Sequence, residues 1–172
     1  NYGVSFNLSD ARTYIRHYPG NATQSIWKYN NGREINEIWG FETVGIAKSQ
    51  AEMDAHLEAV GGQTAIGSKW AEGDIMYADL DGNPGITRGA ETLDDHGDLK
   101  VIGNSTPRLF YGIDLNASYK GFDIRAFFQG VGKRDFFAGT PIFWGVYGNQ
   151  WWSAALGEHQ DYYRSEDIGL PD

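Results

Sequence analysis

"SYKGFDIRAFFQG", residues 118–130, is the stretch most informative about the fold, because apolar and polar side chains alternate away from a Lys120-Gly121 dipeptide. A two-residue turn at this dipeptide sets Tyr119 opposite Phe122 and fixes every pairing farther out. The alternation extends over about ten residues in each arm, whereas strands of soluble proteins average about five or six. The stretch therefore predicts an antiparallel hairpin with unusually long arms.

The two faces of this predicted hairpin differ in chemistry. Counting outward from the turn places a set of uncharged residues on one face: Tyr111, Ile113, Leu115, Tyr119, Phe122, Ile124 and Phe128. The other face is polar and contains Asp114, Asn116, Asp123, Arg125 and Gln129. Arg125 lies diagonally across from Asp114, within reach of an ion pair. A soluble sandwich strand also has one apolar face, but long arms with aromatic residues at both ends of that face are typical of membrane-spanning strands.

The rest of the chain is also predicted to be mainly β, with one short helix. Residues 3–9 alternate as a half-buried strand does, and Asn30-Asn31-Gly32 predicts a tight hairpin. A capping box that begins at Ser49 predicts the helix near 49–60. The remaining predicted segments are a strand over 70–78 and two long loops over 79–99 and 138–172.

Composition excludes some classes of partner. The chain of 172 residues carries a net charge of −9, so it lacks the basic surface with which proteins neutralise nucleic-acid phosphates. It has no cysteine, so neither disulfides nor thiolate metal sites hold it together. No apolar run is long enough for a transmembrane helix, but transmembrane strands need only alternation. Because the chain begins at Asn1 without a signal sequence, we expect a processed protein or an internal piece of a longer one.

Two separated segments carry a more specific signal. They are "GDIMYADLDG" (73–82) and "IGNSTPRLFYGIDLNASYKGFDIRAFFQGVGKRDFF" (102–137). In order, spacing and residue types they resemble the C-terminal barrel half of SusC/RagA-type TonB-dependent transporters of the Gram-negative outer membrane. The upstream "GREINEIWGFETVGIAKSQAEM" (32–53) and the downstream "DYYRSED" (161–167) are similar to further motifs of that family. The resemblance therefore covers most of the chain.

The resemblance implies that residues 1–172 are part of one transmembrane β-barrel domain in the outer membrane. The apolar face of the hairpin would then contact lipid, its polar face would line the lumen, and its turn would lie on the periplasmic side. The implied function is energy-coupled import of a nutrient, an oligosaccharide or an oligopeptide. A SusD-like surface lipoprotein would be the outer partner, and TonB would act through a plug domain that this chain does not contain.

A cluster of aromatic residues near the C-terminus is a second candidate site. Flat rings with polar edges suit sugars or an apolar protein partner. The residues predicted to face substrate or partner are Trp144, Tyr147, Trp151, Trp152 and Tyr162. Each of these rings could equally anchor a long loop on the barrel rim.

The stretch "DLDGNPG" is a weak candidate for calcium. Asp79, Asp81 and Asn83 supply oxygens at alternate positions, as an EF-hand loop does at its start. Pro84 and Ala90 stand where that loop needs Gly and Glu, so any cage would need other ligands. Those ligands would come from Glu91, Asp94 or Asp95. No other cofactor is predicted.

No motif of this sequence argues for catalysis. The four histidines lack metal-ligand spacing, and neither a nucleophile elbow nor a phosphate loop is present. We therefore predict that the chain is not an enzyme. Two rival functions remain open: a secreted carbohydrate-binding β-sandwich that uses Trp144, Trp151 and Trp152, and a surface hydrolase with a paired-carboxylate cleft.

Overall fold

The computed structural model describes residues 1–139 and 157–160 of the chain, and it is mainly β with antiparallel pairing and one short helix. The elements are β1 (Tyr2–Ser9), β2 (Glu37–Phe41), β3 (Thr43–Ile46), α1 (Gln50–Val60), β4 (Ile75–Tyr77), β5 (Leu99–Asn104), β6 (Arg108–Tyr119), β7 (Phe122–Lys133) and a 3-10 turn at Gly157–Gln160. The strands form three sheets, ordered β1-β6-β7, β2-β5 and β3-β4. Within the described ranges none of these sheets closes on itself. The predicted fold class is thus confirmed at the level of an antiparallel, mainly β chain, and the barrel remains a prediction.

The chain divides into two compact units. The first contains Asn1–Ile38 and Gly103–Phe136, and therefore holds the β1-β6-β7 sheet. The second contains Trp39–Ile102 and the described residues that follow Phe136. It holds the helix and the β3-β4 pair.

The predicted hairpin is present as β6 and β7. Lys120 and Gly121 both have positive φ, 47° and 87°, which is the requirement of a type I′ turn. Tyr119 pairs with Phe122, and the antiparallel register then runs without a shift as far as Phe110 and its partner Val131. The pairing predicted outward from the turn is therefore confirmed, and each strand has 12 residues.

Strand β1 widens this hairpin into a three-stranded sheet. It pairs with β6 in antiparallel register, with Val4 opposite Leu115 and Phe6 opposite Ile113. Residues directly opposite each other project from the same face of a sheet. The apolar side chains of β1 therefore extend the uncharged face of the hairpin, and these residues are Tyr2, Val4, Phe6 and Leu8.

The predicted hairpin at Asn30-Asn31-Gly32 is wrong. Residues 33–35 pair instead with residues 13–15: the Ile15 N–H donates to the Arg33 carbonyl at 2.9 Å, and the Gly32 N–H donates to the Ile15 carbonyl at 2.8 Å. The residues before Asn30 form turns because side-chain amides satisfy their backbone groups. The Asn21 amide donates to the carbonyl of Ser25 at 2.9 Å and accepts from its N–H at 2.9 Å.

The helix of the second unit begins and ends as its sequence predicts. The Ser49 Oγ accepts the Glu52 N–H at 3.2 Å, and Gly61 ends the helix with a φ of 75°. Met53 is fully buried against Ala47 and Met76, and partly buried Leu57 and Trp70 pack around these three residues. In the described part of the chain no helix has both the length and the apolar character that a membrane crossing requires.

A buried glutamine fixes the chain after the helix. Gln63 is fully buried, and its Oε1 accepts the Tyr77 N–H at 2.8 Å, while its Nε2 donates to the Ile75 carbonyl at 3.2 Å. The His56 Nε2 lies 3.0 Å from the same Oε1 and is therefore the donor. These bonds attach β4 to the segment that leaves α1.

Candidate functional site

The β1-β6-β7 sheet presents one face without any charged side chain. The register places on it Tyr2, Val4, Phe6, Leu8, Tyr111, Ile113, Leu115, Ala117, Tyr119, Phe122, Ile124, Ala126, Phe128 and Gly130. Near the turn Phe122 and Ile124 are 81% and 70% exposed, and farther along β7 Phe128 is 55% exposed. Exposed apolar patches larger than a few hundred Å² mark an interaction surface in a folded protein. An uncharged and exposed face of this kind is typical of an interaction surface.

The opposite face carries the charged side chains of the sheet, with Phe110, Phe127 and Val131 among them, and its charged groups bond to neighbours on the same face. The Arg125 Nε lies 3.2 Å and 3.0 Å from the two carboxylate oxygens of Asp114, and its Nη2 donates to the same carboxylate. Next to the turn the Ser118 hydroxyl donates to the Asp123 carboxylate. The predicted diagonal ion pair between Arg125 and Asp114 is confirmed. The predicted polar residues Asn116 and Gln129 share this face, opposite Arg125 and Gly112.

A second ion pair, which the sequence did not reveal, joins the end of β1 to the start of β6. The Arg108 guanidinium holds the Asp10 carboxylate with two nitrogens, Nε at 2.7 Å and Nη2. Such bidentate bonds are the strong form of an arginine–carboxylate pair. The Arg108 side chain lowers the pKa of Asp10 from 3.8 to about 2, with a smaller contribution from the Leu109 N–H.

This pairing predicts a pH dependence of stability. The pKa of Asp10 is lower in the folded protein than its ordinary 3.8, so the charged carboxylate stabilises the fold above that pH. Its contribution is lost as the pH falls from 3.8 towards about 2. We expect Asp10→Asn to unfold at lower urea concentration than the wild type above pH 3.8 and to converge with it near pH 2.

Glu58→Gln, at an exposed position of α1, is the matched control for that experiment and is expected to follow the wild type throughout. An Asp10→Asn variant as stable as the wild type above pH 3.8 would contradict the role of the Asp10–Arg108 pair.

The acidic loop between β4 and β5 brings three carboxylates together. Oxygens of Asp79, Asp81 and Asp98 lie within 4.8 Å of one another. Asp98 is fully buried, its Oδ1 accepts the Leu80 N–H at 2.7 Å, and its Oδ2 accepts the Thr87 N–H at 2.7 Å. The loop therefore folds around the Asp98 side chain.

The predicted calcium ligands are only partly brought together. Asp79 and Asp81 converge as expected, but the third carboxylate is Asp98 and not Glu91, Asp94 or Asp95. Asp79 and Asp81 also accept the Gly82 and Asn83 N–H groups, each at 2.7 Å, so they stabilise turns without any ion. Carboxylate oxygens at this spacing are donors that Ca²⁺ accepts. Calcium binding at this cluster stays a prediction, and backbone donors already occupy part of each carboxylate.

The predicted aromatic site lies outside the described residues. Its members are Trp144, Tyr147, Trp151, Trp152 and Tyr162, and all five fall within 140–156 or 161–172. Their contact with substrate or partner stays a prediction. The other aromatic rings that the structure places on an exposed surface include Tyr18 and Tyr29, which meet edge to face with centroids 5.5 Å apart.

Comparison of the chain with protein-family models gives no match, and comparison with curated proteins gives none either. The features of the chain that bear on function are therefore the two-faced sheet and the sequence motifs.

Proposed function

We propose that the chain is part of a transmembrane β-barrel in the Gram-negative outer membrane that imports a nutrient with energy from TonB. The observation that carries this proposal is the two-faced sheet. Three strands share an exposed face without a charge, and their other face bears the Asp114–Arg125 ion pair. A membrane-spanning strand of a pore-forming barrel has this arrangement, with its apolar side towards lipid and its polar side towards water.

The dimensions of the hairpin support the proposal. At about 3.3 Å per residue and a tilt of about 45°, a strand of 12 residues advances about 28 Å along the membrane normal, close to the hydrocarbon thickness of about 30 Å. Aromatic rings lie towards both ends of the apolar face, with Tyr2, Tyr119 and Phe122 near the turn and Tyr111 towards the other end. Outer-membrane barrels carry aromatic girdles at these two levels.

A sheet that spans the membrane would need further strands at both of its edges. Within the described residues, β1 and β7 each pair on one side only. Unpaired backbone groups are costly in hydrocarbon, so further strands must continue the sheet on both sides. The family motifs of the sequence are consistent with such strands belonging to a longer parent protein.

The proposed roles of the residues follow from the two faces. The lumen wall comprises Asp114, Asn116, Asp123, Arg125 and Gln129, whose charges are largely paired within the wall. The lipid contact comprises Tyr111, Ile113, Leu115, Tyr119, Phe122, Ile124 and Phe128. The substrate would be an oligosaccharide or oligopeptide, and the partners would be a SusD-like lipoprotein outside and TonB inside.

The rival function, a carbohydrate-binding β-sandwich, requires a second sheet over the apolar face. Leu115 at the centre of that face is 38% exposed, and Phe128 is 55% exposed. Core residues of a sandwich are normally closed off by the facing sheet. The exposure of these residues therefore favours the barrel.

Membrane fractionation of the full-length parent protein tests the proposal. We expect the parent protein in the outer-membrane fraction, insoluble in a mild detergent that dissolves the inner membrane, and with a gel mobility that changes on boiling. A soluble periplasmic enzyme and an inner-membrane protein serve as markers for the other fractions. Recovery of the parent protein in a soluble compartment would overturn the proposal.

A further inference from the structure

The polar face of the β1-β6-β7 sheet contains a depression of about 430 Å³. This volume lies within the range of about 300–1,000 Å³ that is usual for small-molecule sites. It is lined by Asn7, Phe110, Phe127, Gln129 and Val131, whose side chains lie on this face, and by Gly112 and the adjacent Tyr111 and Gly130. None of the described residues around it carries a charge at neutral pH.

The strand register explains how the depression arises. Asn7, Gly112 and Gln129 form one row across the three strands, because Gly112 pairs with both of the others. Phe110 lies two residues before Gly112 on β6, and Phe127 lies two residues before Gln129 on β7. Residues two apart on a strand share a face. The depression beside the central glycine is thus bounded by two amides and two phenyl rings.

Gly112 is needed for this shape. It is buried, and a Cβ at this position would lie 2.8 Å from the Asn7 Nδ2. The Asn7 amide therefore lies across the glycine, in the space that any other residue would fill. Within the described residues, neither the Asn7 amide nor the Gln129 amide makes a side-chain hydrogen bond, so each has donors and an acceptor to offer.

We propose that this depression binds one ring of a neutral sugar as the substrate passes along the wall. A pyranose has an apolar C–H face that packs on a phenyl ring, and adjacent hydroxyls that each donate and accept, as an amide does. The neighbouring charges of Asp114 and Arg125 neutralise each other, so the site offers nothing to a charged group. This inference rests on the proposed import function and selects neutral oligosaccharides over oligopeptides.

Two neighbouring residues provide a matched test. Phe127 and Phe128 have the same side chain and are 56% and 55% exposed, but they lie on opposite faces of the sheet. Calorimetric titration of the purified full-length protein in detergent would use maltohexaose, cellohexaose and mannohexaose as neutral probes. We expect one of them to bind, Phe127→Ala to weaken that binding about tenfold, and Phe128→Ala to leave it within about twofold.

A second variant and a charged probe make the test sharper. Gly112→Ala is expected to weaken binding by a similar factor, because the added Cβ displaces the Asn7 amide. Hexagalacturonate, which carries a carboxylate on each ring, is expected to bind more weakly than the neutral probe. The inference is overturned if no neutral probe binds, if Phe127→Ala and Phe128→Ala have equal effects, or if a charged oligomer binds more tightly.

Different experimental results would overturn the sugar site and the import function. A parent protein in the outer membrane whose sugar binding ignores Phe127 would overturn only the sugar site. A soluble parent protein that binds a neutral sugar through Phe127 would overturn membrane import, and the depression would then be a sugar site in a protein of another function.

Discussion

Arginine in place of Val4 is expected to lower the free energy of unfolding of the full-length protein in lipid vesicles by about 2–4 kcal/mol. Val4 pairs with Leu115, in the middle row of the apolar face. If this row lies near the midplane of the bilayer, the guanidinium must leave water or draw water and headgroups inward, and both are costly. Urea titration of the vesicle-embedded protein measures the change.

Ser5→Arg is the matched control, because Ser5 follows Val4 directly and projects from the other face, opposite Asp114. An arginine there is expected to change the free energy of unfolding by no more than about 0.5 kcal/mol, since it remains in water beside a carboxylate. Equal costs for the two arginines would contradict a sheet with lipid on one side and water on the other.

Alanine in place of Asp98 is expected to destabilise the acidic loop by about 3 kcal/mol or more. The buried carboxylate accepts the N–H groups of Leu80 and Thr87, and the change would leave both donors unpaired. Each hydrogen bond to a charged group contributes about 1.5–3 kcal/mol, and a buried unpaired donor adds its desolvation cost. Asp98→Asn retains one acceptor oxygen and is expected to cost less than Asp98→Ala.

The exposed Asp94 is the matched control in the same loop, and Asp94→Ala is expected to change stability by no more than about 0.5 kcal/mol. Unfolding is best followed by hydrogen exchange of the Leu80 and Thr87 amides in EDTA, so that no bound cation contributes. Unchanged protection of these amides in Asp98→Ala would show that the carboxylate does not hold the loop.

The part of the fold that the sequence predicted is the part determined by local chemistry. Lys120-Gly121 adopts the two positive φ angles of a type I′ turn, and the period of two then sets the whole register of β6 and β7. The helix is equally local, because Ser49 caps its start and Gly61 ends it. In both cases the residues that determine the structure are adjacent in the chain.

The features that the sequence did not predict depend on residues far apart in the chain. The alternation of residues 3–9 predicted a strand, but nothing in it indicated that β6 would be its neighbour. Asp98 stands among several acidic residues of the loop, and only the folded chain shows that it is the buried one. The wrong hairpin at Asn30 has the same cause. The Asn21 amide, earlier in the chain, donates to the Ser25 carbonyl and to the Asn30 Oδ1, and so holds these residues in another turn.

The candidate site shows the same division. The alternation of polar and apolar residues predicted that Asp114 and Arg125 lie on the face opposite the apolar residues of the hairpin. The structure brings these two side chains together as predicted. The depression at Gly112 was not predicted, because its third side, Asn7, comes from β1. The sequence signal that could have indicated this depression is Gly112 itself, a glycine inside a long strand on the same face as polar residues.

A cysteine scan of β6 is the most direct test of a sheet with lipid on one side and water on the other, and residues 1–172 add no native cysteine to it. Single cysteines at positions 111 and 113 to 119 would be placed in the full-length protein in native outer membranes and treated with a membrane-impermeant maleimide. We expect reaction at 114, 116 and 118, and protection at 111, 113, 115, 117 and 119, where nitroxide lipids should instead quench an attached fluorophore. Odd positions that neither react nor respond to the lipid quencher would show that protein covers this face, and would contradict the account.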